Sequence, residues 1–173
     1  MTKPRSLLVT LVLTAALGTA AQAQNSYSVE PLAEGLNQPW ALAFLPGGAD
    51  IILTGRTGDI MIWEAGTGDL VTIDGAPEVD ARGQGGRLDI APAPDFDESG
   101  MLYLTWSAAN DAGETATHLG RARLDRDAGR LEDLETLHVV APFMDSDGHY
   151  GSRIAFADGH VFFSAGDRQR KDF

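Results

Sequence analysis

The 173-residue sequence contains no cysteine. Disulfides, thiolate catalysis and cysteine-ligated zinc are therefore excluded for this stretch of chain. Positive charge is scarce, with 13 Lys and Arg against 25 Asp and Glu and a formal net charge of −12. Such a surface repels phosphate backbones and anionic headgroups, so neither nucleic acid nor an acidic membrane surface is an expected partner. Sustained helical periodicity is missing after the first residues, and no later run reaches the roughly 20 apolar residues that span a bilayer. A phosphate loop is missing too. The glycine-rich stretch Ala81–Asp89 has no Gly-Lys-Ser/Thr and no helix after it. His118, His138, His149 and His160 show no metal-ligand spacing. Asp145 and Asp147 resemble the start of a calcium loop, but the third carboxylate and the correctly placed glycine are absent. No metal ligand is expected in this segment.

What is present begins with a leader. Lys3 and Arg5 precede an uncharged apolar stretch from Leu7 to Ala20, and Ala21-Gln22-Ala23 offers small residues where a signal peptidase reads. This is the pattern of a secretory signal peptide, cleaved after Ala23. At about 14 residues the apolar run is short for a membrane anchor. The expected product is an exported chain, periplasmic or secreted, comprising residues 24–173 without a membrane span. The full sequence is 43% hydrophobic, and residues 24–173 are long enough for one domain with a real core.

Past the leader come short apolar runs broken by turn residues, with 20 Gly and 8 Pro supplying the breaks. Trp40–Leu45, Ile60–Trp63, Met101–Trp106 and His160–Ser164 all read as strands, and short strands at this spacing indicate an all-β sandwich, barrel or propeller. A repeat favours the propeller. Ile51-Ile52-Leu53-Thr54, Leu102-Tyr103-Leu104-Thr105 and Val161-Phe162-Phe163-Ser164 each place a hydroxyl after three apolar residues, and each follows another apolar strand. The spacing of Thr54, Thr105 and Ser164 fits one four-stranded blade per repeat. Only two blades and part of a third fit here, whereas propellers close with about four to eight. The remaining blades are expected beyond Phe173 or from another chain, with truncation the favoured reading.

Three loop segments could carry chemistry. In Asp80–Asp89, Gln84 sits between glycines and can present an amide from a loop tip; an ordinary turn is the alternative. In Asp147-Gly148-His149-Tyr150-Gly151, an imidazole at a loop–strand junction can take a proton near neutral pH, or it can be a structural histidine. Gly166-Asp167-Arg168 follows a strand. The stretch from His149 to Asp167 reads as strand, turn at Ala157-Asp158-Gly159, strand, which returns Asp167 toward His149. A carboxylate beside an imidazole orients the ring and favours its protonated form. A solvent-exposed turn aspartate is the alternative.

These segments resemble, in order, those of the glucose/sorbosone dehydrogenase family: Leu36–Pro46 its opening strand, Ala81–Ile90 its Gly-Gln-Gly-Gly segment, and Pro94-Asp95-Phe96 with Leu102-Tyr103-Leu104 its next hairpin. Gly148–Ile154 is similar to its catalytic-histidine segment and Gly166-Asp167-Arg168 to its Gly-Asp segment. The resemblance implies a six-bladed β-propeller that oxidises aldose sugars with PQQ and calcium, usually in the periplasm, and passes electrons to an external acceptor. By the same resemblance His149 is the general base, Asp167 holds its imidazole, and Gln84 reaches the sugar or cofactor. In glucose-type relatives an Asp precedes the catalytic histidine. Here that position is Gly148, which implies a broader aldose specificity. Residues that clamp PQQ and bind calcium come from later blades in this family; Arg82, Arg87 and Arg153 match no clamp position. The alternatives are a calcium-dependent propeller lactonase and a non-catalytic binding propeller.

Overall fold

The computed structural model describes residues 27–170. The expected signal peptide, residues 1–23, lies outside the described residues. The chain divides into two units, Met1–Glu30 and Pro31–Phe173. Of the first, 27–30 are described and have no regular secondary structure.

In the second unit, the apolar runs named above lie on strands, with Leu45 falling one residue past its strand. β1 (Pro39–Phe44), β2 (Ile51–Gly55), β3 (Ile60–Trp63) and β4 (Leu70–Thr72) form one antiparallel sheet in sequence order. β5 (Arg87–Pro92), β6 (Met101–Ala109), β7 (Thr115–Asp125) and β8 (Arg130–Val139) form a second, with the single-turn helix α1 (Phe96–Ser99) between its first two strands. β9 (Gly151–Ala157) and β10 (His160–Ala165) pair as a hairpin. Its two-residue turn, Asp158-Gly159, has positive φ at both positions. That backbone twist matches the strands it joins. Meandering sheets of this kind, stacked in chain order, are successive blades of a β-propeller: two complete, and two strands of a third.

The core lies between the first two sheets. Ile52, Ile60 and Ile62 of the first pack with Ile90, Leu102, Leu104 and Trp106 of the second. β2 is buried along its whole length, which is why its sequence is almost uniformly apolar.

Two of the repeated hydroxyls bridge adjacent blades, and the third bonds within its own hairpin. Thr54 Oγ1 accepts the Ala41 N–H (3.1 Å) from its own blade and donates to the Leu88 carbonyl (2.8 Å) of the next. Thr105 Oγ1 accepts the Asp89 N–H (2.9 Å) and donates to the Ser152 carbonyl (3.1 Å). Ser164 Oγ accepts the Arg153 N–H (3.1 Å). The side chains beside them follow the same register: Ile52 faces the second blade, and Tyr103 meets Phe156 of the third edge-on at 5.2 Å.

Candidate functional site

Gln84 lies in the loop that enters β5, His149 in the loop that enters β9, and Asp167 just after β10. First strands begin, and second strands end, at the same end of their sheets, so all three residues meet there. The Gln84 side-chain oxygen accepts the His149 N–H at 2.9 Å, and its own N–H donates to the Asp147 carbonyl at 2.7 Å. Gly83, with φ +52, makes this approach feasible: a Cβ there would collide with Asp147. Gln84 therefore holds the histidine loop through its carboxamide oxygen, and the NH2 end is left to donate. This backbone role was not legible in the sequence, which suggested only a reach toward ligand.

His149 Nδ1 lies 2.7 Å from Asp167 Oδ1. An ionised carboxylate can only accept, so Nδ1 carries a proton, and in the neutral ring Nε2 then presents a lone pair. The hydrogen bond from His149, helped by the Gln169 N–H at 3.0 Å, holds the Asp167 carboxyl below its usual range. Both side chains are about half exposed, so the pair faces solvent at the end of the sheets. The His149 backbone is left-handed, with φ +51, a conformation uncommon outside glycine. Its carbonyl sits against Gly166, where any Cβ would collide with it. The Gly-Asp sequence is thus explained: the glycine admits the His149 backbone and the aspartate takes the ring.

Two neighbours went unrecognised in the sequence. Arg168 is buried beneath the loop. The Gln169 carboxamide lies where a side chain on Gly148 would begin, 2.6 Å from the position of a Cβ. Beside them, Arg82, Asp145, Ser146, Asp147 and Arg170 border a cleft of about 330 Å³. Among the described residues, no group of three or more His, Asp or Glu is placed to hold a metal ion.

Residues 36–173 match the family model for Glucose / Sorbosone dehydrogenase. The chain belongs to this family. It is 36% identical to the aldose sugar dehydrogenase YliI of Escherichia coli over 95% of this chain and 44% of that protein. A solved glucose dehydrogenase matches with a TM-score of 0.80 at 35% identity, over 83% of this chain and 45% of the other. The PQQ-bound aldose sugar dehydrogenase of Streptomyces coelicolor matches with a TM-score of 0.71 at 31% identity, over 82% and 42%. The chain therefore spans under half the length of these relatives.

Proposed function

We propose that the complete protein carrying this chain oxidises aldose sugars to lactones, with PQQ as hydride acceptor and His149 as general base. The observation that carries this reading is the His149–Asp167 pair, in which the carboxylate engages Nδ1 and leaves Nε2 of the neutral ring to accept a proton at the open end of the sheets. The PQQ-bound Streptomyces relative supports the choice of cofactor, and YliI supports the substrate class.

The residues present fit one part of such a site. An imidazole and a carboxamide NH2 suit the reacting end. The cations nearby do not suit the carboxylates of PQQ: Arg82 pairs with Asp80 at 2.7 Å and Arg153 with Asp89 at 3.0 Å. Arg87 is buried on the carbonyls of Gly58 and Pro77. This reading therefore assigns the cofactor clamp and the calcium ligands to parts of the complete protein outside the described residues.

Bound PQQ supplies the two-electron acceptor for the anomeric hydride. The protein side of the step is proton transfer. His149 Nε2 accepts the proton of the anomeric hydroxyl as the C–O bond becomes a carbonyl. Asp167 keeps Nδ1–H in place and stabilises the imidazolium that results. Gln84 fixes the His149 backbone and offers its NH2 to a sugar hydroxyl. With Gly148 and the Gln169 carboxamide before the base, we assign a broad aldose specificity. An external acceptor then takes the electrons. From the expected leader, we propose that the protein acts in the periplasm or the medium.

The test adds PQQ and calcium to the complete apoprotein with an aldose and a reducible dye. Aldose-dependent dye reduction is expected. Lactone hydrolysis without PQQ, or neither activity, would replace this reading with a hydrolase or a binding propeller.

A further inference from the structure

Arg168 is only 4% exposed, yet its hydrogen bonds all go to neutral oxygens. Nε donates to the Gly148 carbonyl at 3.0 Å and Nη1 to the Thr115 carbonyl at 2.9 Å. Nη2 donates to Thr115 Oγ1 at 2.6 Å and to the Ser146 carbonyl. The guanidinium carbon stands 3.9 Å over the centre of the Tyr150 ring. Burial lowers the pKa of this arginine, and Tyr150 and Asp147 oppose the shift. A buried charge whose hydrogen bonds all go to neutral acceptors is costly, and the planar fork is suited to fixing several acceptors at once.

Three of those partners flank His149. Ser146 and Gly148 precede it, Tyr150 follows it, and its own carbonyl accepts the Arg168 N–H at 3.3 Å. The left-handed backbone of His149 persists only if its surroundings over-determine it. Gln84 fixes the N–H, Gly166 admits the carbonyl, and Asp167 fixes the ring. None of these holds the loop on both sides of His149. Arg168 does.

We propose that Arg168 is a positioning residue for His149, setting the backbone from which Nδ1 meets Asp167 and Nε2 faces the sugar. The inference rests on the reading of His149 as the base. Thr115 and Tyr150 belong to the same device: the Tyr150 hydroxyl is 2.9 Å from Thr115 Oγ1, and Thr117 Oγ1 donates to the Tyr150 carbonyl at 2.9 Å.

The test uses the complete protein as Arg168→Met, Arg168→Lys and His149→Gln. With PQQ bound, Arg168→Met is expected to lower kcat by about ten- to a hundredfold, the scale of lost charged hydrogen bonds, with little change in KM. Arg168→Lys keeps the charge but not the fork and recovers little; dilute guanidinium restores part of the Arg168→Met activity. A second readout needs no turnover. In histidine-labelled protein, the Nδ1 proton of His149, assigned by its loss in His149→Gln, is expected to shift and exchange faster in Arg168→Met. If Arg168→Met does not fold, Arg168→Lys is read in the same two ways. Unchanged kcat with an unchanged His149 signal overturns the proposal, and so does a fall in kcat with that signal unmoved. Retained turnover in His149→Gln refutes the base assignment instead, and the proton signal still decides whether Arg168 positions the ring.

Discussion

At the scale of single residues, the account turns on how one imidazole is held. Its ring, N–H and carbonyl each have a separate partner, and each partner comes from a different loop position. Asp167→Asn keeps the shape and loses the charge that favours the imidazolium. Turnover is expected to fall about ten- to a hundredfold, less than for His149→Gln; steady-state kinetics on the PQQ-loaded protein would check it. That Asp167 would lie beside His149 was legible in the strand–turn–strand between them, whereas the roles given to His149, Asp167 and Gln84 rested on the family resemblance. Arg168 was not legible, because nothing in the sequence distinguishes a buried arginine caged by carbonyls from one on the surface. The positive φ of His149 was equally invisible, since it follows from contacts made by residues distant in the chain.

At the scale of strands and sheets, the blade repeat was legible because β2 is buried along its whole length and β6 over most of its own, and β10, exposed here, carries the same pattern. Burial on both faces demands apolar residues, and the lone hydroxyl stands out against them. The outer strand β8 is mostly exposed and rich in charge. Its ion pairs with β7, Arg121 to Glu135 at 2.8 Å and Arg123 to Glu132, leave no apolar pattern to read. α1 is a single turn and too short to show a period. The hydroxyl junctions make a stability prediction. Thr105→Val would strand the Asp89 N–H and the Ser152 carbonyl, and should cost about 1–3 kcal/mol in denaturant unfolding. A second prediction concerns pH. His118 stacks on Trp106 with ring centres 5.3 Å apart, and burial lowers its pKa against a weaker opposing bond to the Ala116 carbonyl. The unfolded chain therefore binds a proton more readily than the folded one. His118 should contribute full stability above about pH 6.5, and that contribution should be lost as the pH falls through and below this value. Unfolding midpoints measured down a pH series should fall less steeply in His118→Phe.

At the scale of the whole molecule, the described sheets leave apolar faces open. Leu42 and Phe44 of β1 are 59% and 65% exposed, and Phe162 of β10 is 55% exposed. Exposed apolar sheet faces and unpaired edges drive association. Residues 24–173 expressed alone should self-associate in sedimentation and oxidise no aldose, since Arg82 and Arg153 are already paired with carboxylates. A monomer with one sharp unfolding transition would contradict the first expectation. The central proposal is that, in the complete protein, His149 takes the proton of the sugar. Its most direct test is aldose-dependent dye reduction by the PQQ-loaded His149→Gln variant beside the unmodified protein. The account predicts a fall of at least about 10²–10⁴-fold, the usual contribution of a general base, with PQQ still bound. Near-normal turnover would contradict it.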